Sequence, residues 1–227
     1  MKHTLYKVVS FFTPKKYKKS LRRMKLGYAL VSSEHSYLVQ TGYVDSRLDY
    51  SLLDRKQACL PWMNYPLIDF LEEKLNKDMT VFEYGSGYST LFFAQRTKRV
   101  ASVEYNSEWY HKVKKMLGEK TSNAQVHYQE LNATYPYAIE KQLKGEKCDI
   151  LVIDGRKRVK CAKIGFDHLS DSGVLIFDDT YRKYYQEGIQ FYLDKGFKSI
   201  RFKGLKPTGF GTDETIVLYR DNNCLGI

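Results

Sequence analysis

The stretch Val81-Phe82-Glu83-Tyr84-Gly85-Ser86-Gly87-Tyr88-Ser89-Thr90 decides the fold of this 227-residue chain. An apolar segment leads into a turn that carries two glycines, and a helical pattern begins directly after the turn. In open α/β sheets ligands bind beyond the carboxyl ends of the strands, where glycine lets the backbone approach them closely. The stretch therefore predicts a strand, a ligand-binding turn and a helix, in that order.

Short apolar segments and helical patterns alternate through most of the remaining chain. Such alternation is typical of an α/β protein with right-handed β-α-β crossovers and a mostly parallel sheet. The last two strands have only the loop from Gly204 to Asp213 between them, which predicts an antiparallel hairpin. A further helix is predicted between Pro61 and Leu75. The predicted strands are 80–84, 99–104, 125–129, 149–153, 173–178, 197–202 and 214–219, and the helices between them lie at about 88–97, 107–118, 134–144, 157–169 and 184–195.

The positive charge is concentrated at the N-terminus. Nine of the 37 basic residues lie within 1–33, where there is no acidic residue, which leaves 28 basic against 26 acidic residues in 34–227. This distribution divides the chain into a basic N-terminal arm, 1–33, and a nearly neutral domain, 34–227. Because a phosphate backbone is bound through a basic surface, the neutral domain argues against nucleic acid as a partner.

The arm carries an apolar helical face in two pieces, which Pro14 separates. The apolar residues are Leu5, Val8, Val9 and Phe12 in the first piece and Tyr17, Leu21 and Met24 in the second. A basic amphipathic helix can lie on an anionic membrane surface, or it can pack on its own domain or on a partner. The chain shows neither a transmembrane run nor a secretory signal, and its four cysteines lack the spacing of a metal site. We expect a cytoplasmic protein, with peripheral contact to the inner face of the membrane through the arm.

A second acidic residue ends the next predicted strand. Glu104 follows Gly85 by 19 residues, and a carboxylate there can accept hydrogen bonds from ribose hydroxyls. The dinucleotide pattern G-x-G-x-x-G needs a third glycine where Thr90 stands, which argues against a nicotinamide or flavin enzyme. S-adenosylmethionine has no pyrophosphate. Its ribose and charged methionine end need a close backbone turn and carboxylates, which Glu83 and Glu104 supply, although a plain strand–helix turn is the alternative.

Glu83-x-Gly85-x-Gly87 together with Glu104 resembles motif I and its successor in class I S-adenosylmethionine-dependent methyltransferases. The resemblance covers about 61–227 and implies a Rossmann-like seven-stranded sheet of order 3-2-1-4-5-7-6, with helices on both faces. Many members have a third glycine where this chain has Ser89, which could instead cap the helix. The cofactor contacts implied are Glu83, Gly85, Ser86, Gly87, Ser89 and Glu104.

Acidic residues also follow the fourth and fifth predicted strands, as Asp154, Asp178 and Asp179. Neighbouring parallel strands end at one edge of a sheet, so we expect these carboxylates to lie together near the Gly85 turn. Such a cluster requires solvent, cations or a metal ion, and oxygen ligands suit Mg²⁺ or another divalent cation. Asp154 and Asp178 could also cap helices. Three nearby arginines are candidates for neutralising the cluster or binding substrate: Arg156, Arg158 and Arg182.

The three aspartates are similar in position to the metal ligands of metal-dependent O-methyltransferases. That resemblance implies a divalent ion on Asp154, Asp178 and Asp179 that binds an acceptor hydroxyl, with Asp154 as the catalytic group. The segment 154–161, the Asp-Asp pair and the ending Asn223-Cys224-Leu225-Gly226-Ile227 also resemble bacterial methyltransferases associated with surface-glycan biosynthesis. They imply a small polar acceptor such as a sugar or a glycan intermediate.

Two other functions are open at the level of sequence. One is a nucleic-acid methyltransferase whose basic arm clamps phosphates, although the Asn/Asp-Pro-Pro-Tyr-like signature of amino-directed enzymes is absent. The other is a non-catalytic binding module on the same fold, against which the intact Glu83, Gly85, Gly87, Glu104 and Asp154 argue.

Overall fold

A computed structural model describes residues 13–49, 52, 59–118 and 121–227. Its strands are β1 Thr80–Tyr84, β2 Arg99–Glu104, β3 Ala124–Tyr128, β4 Cys148–Ile153, β5 Leu169–Phe177, β6 Lys198–Leu205 and β7 Thr212–Tyr219. They form one sheet of order β3-β2-β1-β4-β5-β7-β6. The first five strands pair in parallel, and β7 runs antiparallel to both β5 and β6. The predicted Rossmann-like, mostly parallel sheet with a terminal antiparallel hairpin is confirmed.

Most of the described helices lie where the apolar patterns predict them, with ends set by local chemistry, whereas the patterns do not predict two short helices within 37–49. The described helices are α1 Lys15–Ser32, α2 Tyr37–Gln40, α3 Tyr43–Asp49, α4 Tyr65–Lys74, α5 Tyr88–Arg96, α6 Ser107–Leu117, α7 Ala138–Leu143, α8 Arg158–Gly165 and α9 Gln186–Leu193. α4 starts later than predicted because the side chain of Asn64 caps it by accepting a hydrogen bond from the Leu67 N–H at 3.2 Å. α7, α8 and α9 are shorter than predicted because a single 3-10 turn replaces α-helix at one end of each.

Three strands, β5, β6 and β7, extend beyond their predicted bounds. β6 and β7 both extend into the segment predicted as a loop, so that only 206–211 connects them. β5 begins at Leu169, four residues before the predicted start, because a register shift between Cys148 and Ile150 lets it pair with β4 over a longer stretch.

Helices cover both faces of the sheet because strand residues alternate between two apolar cores. Val81 of β1 and Val152 of β4 belong to the core under α4, α5 and α6. Phe82 and Leu151, one position away in the same strands, belong to the core under α7, α8 and α9. A period of two places successive side chains on opposite faces, and a strand buried on both faces is apolar throughout.

α1 lies outside both cores. None of its residues is buried, and Met24 and Leu26 keep 69% and 61% of their surface exposed. The structure therefore gives no support to the alternative that this helix packs on its own domain. The other predicted amphipathic piece, 5–12, lies outside the described residues, and the division at residue 33 stays a prediction. Among the described helices, none combines the length and hydropathy needed to cross a bilayer.

The turns that follow β1 and β4 touch each other through their backbones. Gly85 has a φ of +95°, in the left-handed region that glycine adopts without strain. A Cβ on Gly155 would lie 2.5 Å from Oη of Tyr135 and 3.0 Å from the backbone nitrogen of Gly85. Only glycine at position 155 allows the two strand ends to approach this closely.

We expect Gly155→Ala to destabilise the protein by about 1–3 kcal/mol, because the added methyl group overpacks a contact that contains backbone atoms. Urea unfolding measures this free-energy change. Gly211→Ala is the matched control, since a Cβ there meets nothing within 4 Å, and it should change stability by less than about 0.5 kcal/mol. Equal unfolding midpoints for the two variants would contradict the close approach.

Candidate functional site

A cavity of about 610 Å³ lies at the carboxyl ends of the central strands. It is open to solvent and receives residues from the turn after β1, the end of β2, and the segments after β4 and β5. Sequence-predicted residues that line it are Gly85, Ser86, Gly87, Ser89, Glu104, Asp154, Arg156, Arg158, Asp178, Asp179 and Arg182. The structure thus brings together all the predicted site residues except Glu83.

Hydrogen bonds continue from strand to strand beyond the strand ends and hold the cavity floor in place. The N–H of Gly85 donates to the carbonyl of Val103 at 3.0 Å, and the N–H of Asp154 donates to the carbonyl of Tyr84 at 2.9 Å. The N–H of Asp178 donates to the carbonyl of Ile153 at 3.2 Å. The turns are therefore fixed by the sheet itself.

Glu104 is buried and oriented by the chain that follows it. Its Oε1 accepts hydrogen bonds from the N–H groups of Tyr105 and Asn106 at 2.9 and 2.8 Å. Its Oε2 has longer contacts, with the N–H and the hydroxyl of Ser86 at 3.3 and 3.4 Å. Oε2 is therefore the oxygen that a ligand hydroxyl can engage most readily.

The start of α5 differs from the expectation that Ser89 caps it. The helix begins at Tyr88, so Ser89 lies inside the first turn. The Oγ1 of Thr90 instead accepts a hydrogen bond from the N–H of Gly87 at 3.1 Å. Thr90 occupies the position of the third glycine in the dinucleotide pattern, and its hydroxyl does the capping there.

Glu83 is fully buried and does not line the cavity, so its contact with a cofactor stays a prediction. Its Oε2 accepts a hydrogen bond from the Ser102 hydroxyl at 2.7 Å, while its Oε1 has no hydrogen-bond partner among the described residues. Burial raises the pKa of this carboxyl to about 7, with hydroxyls that include those of Thr90 and Ser102 opposing the shift. Glu83 is therefore partly protonated at neutral pH.

Asp154 faces the cavity and keeps a third of its side-chain surface exposed. Burial raises the pKa of its carboxyl, Arg158 opposes the shift, and Asp179 adds to it. A carboxyl group with a raised pKa that still reaches the cavity is suited to accept a proton.

Arg158 positions other groups of the site, and its predicted contact with substrate stays a prediction. Only 9% of its surface is exposed. Its Nε donates to the carbonyl of Gly155, Nη1 to that of Asp178, and Nη2 to both the carbonyl and Oδ1 of Asp154. These four hydrogen bonds occupy most of the five N–H groups of a guanidinium. Arg158 therefore clamps the ends of β4 and β5 and orients Asp154.

The acidic cluster that could hold a metal consists of Asp178, Asp179 and Asp213, whose carboxylate oxygens lie within 4.8 Å of one another. This cluster differs from the predicted set of Asp154, Asp178 and Asp179: Oδ1 of Asp154 accepts a hydrogen bond from Arg158, and Asp213 joins Asp178 and Asp179. Asp213 is the second residue of β7, and because β7 is antiparallel to β5 its first residues reach the carboxyl edge of the parallel strands. The predicted antiparallel hairpin, whose last strand is predicted to begin at residue 214, is the sequence feature that could have indicated this position for Asp213.

Adjacent residues Asp178 and Asp179 both enter the cluster because the chain turns between them. Asp179 has a φ of +58°, so the alternation of an extended strand ends there. Oδ1 of Asp178 accepts a hydrogen bond from the Thr215 hydroxyl at 2.5 Å. Burial and the neighbouring Asp154 and Asp213 raise the pKa of Asp178 well above its usual range.

Cations already surround the acidic cluster. Oδ2 of Asp179 lies 3.0 Å from Nη2 of Arg182 and 3.3 Å from Nη2 of Arg158. The ammonium group of Lys206 lies 3.2 Å from Oδ2 of Asp213 and 3.9 Å from Oδ1 of Asp179. Burial opposes the charge of Lys206, but Asp213, Asp178 and Asp179 outweigh it and raise the pKa of the lysine. Arg158, Arg182 and Lys206 therefore offset much of the negative charge of the surrounding carboxylates.

The residues present do not fit a divalent cation. Mg²⁺ needs near-octahedral oxygen ligands at about 2.0–2.1 Å, and here the carboxylate oxygens contact cationic nitrogens instead. A dication about 4 Å from the ammonium of Lys206 would be repelled by roughly 8 kcal/mol at an effective dielectric constant of 20. The ammonium group of Lys206 instead supplies positive charge beside Asp179 and Asp213.

We expect wild-type protein titrated with Mn²⁺ to leave the electron paramagnetic resonance signal of the free ion unchanged. Lys206→Met removes the resident cation and should create measurable Mn²⁺ binding, because the acidic cluster then carries excess negative charge. Lys203→Met is the control, since this exposed lysine of β6 contributes no ion pair in the part of the chain that the structure describes. Stoichiometric binding of Mn²⁺ by the wild type at micromolar concentration would contradict this account.

No protein-family model matches the chain, and no curated protein matches it in sequence. Many solved structures resemble it, among them the three that follow. A Klebsiella pneumoniae protein assigned as an O-methyltransferase superposes with a TM-score of 0.55 at 14% sequence identity, over 85% of this chain and 94% of that one. The precorrin 8w decarboxylase of Methanobacterium thermoautotrophicum gives 0.54 at 22% identity, over 68% and 88%. A Streptococcus mutans protein assigned as a methyltransferase, solved with SAH, gives 0.50 at 14% identity, over 67% and 94%.

At these identities the comparisons concern the fold. A fold of this kind hosts several reactions, so function has to be argued from the residues of the site. The chain has the Rossmann-like fold shared by structures assigned as methyltransferases.

Proposed function

We propose that this protein binds S-adenosylmethionine and transfers its methyl group to a hydroxyl of a small polar acceptor, such as a sugar or a glycan intermediate. One observation carries the proposal: the Gly85–Gly87 turn, the carboxylate of Glu104 and the carboxyl of Asp154 line the same cavity. The Streptococcus mutans protein with the same fold was solved with SAH, the product that methyl transfer from S-adenosylmethionine leaves.

The turn and Glu104 would hold the cofactor. Gly85 and Gly87 leave the backbone of the turn bare, so that a ligand can approach it. Oε2 of Glu104 would accept hydrogen bonds from the ribose hydroxyls, in place of its long contacts with Ser86. Ser86 and Ser89 line the same wall and offer hydroxyl groups to the ligand.

Asp154 would act as the general base. The bound cofactor would supply a methyl group attached to a positively charged sulfur: as the acceptor oxygen bonds to the methyl carbon, the carbon–sulfur bond breaks and the sulfur is left as a neutral thioether. The hydroxyl proton would pass to the carboxylate of Asp154. Nη2 of Arg158 orients Asp154 by donating hydrogen bonds to its Oδ1 at 2.9 Å and to its backbone carbonyl at 3.0 Å. General base catalysis of this kind contributes about 10²–10⁴-fold to a rate.

The fixed cations replace a metal ion in this account. Lys206, Arg182 and Arg158 line the cavity beside the acidic cluster and stabilise negative charge there. Arg156 is exposed at the cavity rim, where its Nε donates to the hydroxyl of Tyr105 at 3.1 Å. We propose that Arg156 and Arg182 contact the acceptor.

We expect S-adenosylhomocysteine to bind the wild type, and Glu104→Ala to weaken that binding about tenfold or more, because hydrogen bonds to a charged group are lost. Isothermal titration calorimetry measures both. Asp154→Asn should keep the affinity for S-adenosylhomocysteine while it abolishes the transfer of a tritiated methyl group to sugars. NAD is the control ligand. Tight binding of NAD without binding of S-adenosylhomocysteine would contradict the proposed function.

We further propose that α1 binds an anionic membrane surface, at the cytoplasmic face of the membrane. Tyr17, Leu21, Met24, Tyr28 and Val31 follow one another at spacings of three and four, which places them on one helical face. The helix carries no acidic residue, and its other faces are rich in lysine and arginine. Apolar burial and attraction to anionic lipids act together in such helices.

Vesicle sedimentation tests the membrane proposal. We expect binding to phosphatidylglycerol vesicles but not to phosphatidylcholine vesicles, with loss of binding as salt is raised, because salt screens exposed charges. Met24→Ser should weaken binding several-fold, whereas Leu26→Ser is a matched control because Leu26 lies on the opposite side of the helix. Equal losses for the two variants would show that the apolar face is not the binding surface.

A further inference from the structure

A second cavity, which we call the basic groove, adjoins the proposed active site. It has a volume of about 610 Å³, and Arg156, Arg158, Arg182 and Tyr185 line both cavities. A molecule bound in one cavity can therefore extend past these side chains into the other. The groove runs along α8 and the segment before α9.

The groove is strongly positive. Six of its lining side chains are cationic and a single one, Glu187, is acidic. Three of the cations are already paired with carboxylates: Arg158 with Asp154 at 2.9 Å, Arg182 with Asp179 at 3.0 Å and Lys163 with Glu187 at 2.6 Å. These pairs account for half of the positive charge.

The other three cations, Arg156, Lys157 and Lys160, contact uncharged groups. Arg156 donates to the hydroxyl of Tyr105 at 3.1 Å, and Nζ of Lys157 donates to the carbonyl of Asn132 at 2.8 Å. Nζ of Lys160 lies 5.3 Å from the centre of the Tyr137 ring. All three are exposed, and none forms an ion pair within the part of the chain that the structure describes. Three like charges held within five residues repel one another and raise the local concentration of anions.

We propose that the basic groove binds a phosphate or diphosphate group of the acceptor, so that the methylated hydroxyl belongs to a phosphorylated small molecule. This inference rests on the proposed function, because it assigns the acceptor of that same site. A carboxylate would engage one of the three cations, whereas the several oxygens of a diphosphate can accept hydrogen bonds from all three. The first turn of α8, which carries Lys160, contains no acidic residue that would repel the group.

The dimensions and the surroundings of the groove favour a small ligand over a nucleic acid. A volume of about 610 Å³ is within the range of small-molecule sites. Outside the arm, 28 basic residues are nearly balanced by 26 acidic ones, which disfavours binding of a phosphate backbone by the domain. The cations of the groove adjoin the cavity that Asp154 lines, where an acceptor hydroxyl would have to lie.

The test uses pyrophosphate as the probe, titrated into the full-length protein by calorimetry in a phosphate-free buffer. We expect saturable binding by the wild type. The double variant Lys157→Gln/Lys160→Gln should weaken it about tenfold or more, because charge-assisted hydrogen bonds are lost. The matched control is Lys114→Gln/Lys115→Gln, which removes the same charge from exposed positions on α6 and should leave the affinity unchanged.

Further measurements distinguish the possible outcomes. Failure of the wild type to bind pyrophosphate, or equal losses in both double variants, would overturn the groove proposal. Tighter binding of a single-stranded oligonucleotide than of pyrophosphate, lost in the Lys157/Lys160 variant, would overturn it in favour of a nucleic acid. S-adenosylhomocysteine titrated into the same samples tests the proposed function separately, since its binding should be equal in all three proteins.

Discussion

The contact between the turns after β1 and β4 is the constraint on which the site depends. Gly85, in a left-handed conformation, and Gly155 bring two backbones to a distance that no side chain would permit. Because Asp154 directly precedes Gly155, the same contact places its carboxyl beside the turn that would hold the cofactor. Hydrogen bonds from Gly85 to Val103 and from Asp154 to Tyr84 lock this arrangement to the sheet.

Charge balance is the second organising feature, and it follows from the topology. β7 returns antiparallel to β5, so the hairpin delivers Asp213 and Lys206 to the edge where Asp178 and Asp179 end the parallel part of the sheet. Buried carboxylates at this density are tolerated only when they are protonated or paired. Arg158, Arg182 and Lys206 provide the pairing, and burial raises the pKa of Asp178, which favours the neutral form of this carboxyl.

The sequence predicted the fold and the cavity well because both depend on local patterns. Apolar strands alternating with helices specify the parallel sheet, and residues at strand ends meet at one edge whatever their side chains. The roles of Arg158 and Asp213 could not be predicted in the same way. Whether an arginine contacts substrate or clamps the backbone depends on its burial, and Asp213 lies in a segment that reads as a loop. The capping hydroxyl belongs to Thr90, one residue after the predicted Ser89, and a sequence pattern does not locate a helix end to within one residue.

The central claim is that one cavity holds S-adenosylmethionine against the Gly85 turn with Asp154 beside the transferred methyl group. A crystal structure of the complex with S-adenosylhomocysteine tests it most directly. The account predicts ligand density along residues 85–89, the ribose hydroxyls on Oε2 of Glu104, and the sulfur on the side of the cavity that Asp154 lines. Density for the ligand outside this cavity, or a ribose that makes no contact with Glu104, would contradict the account.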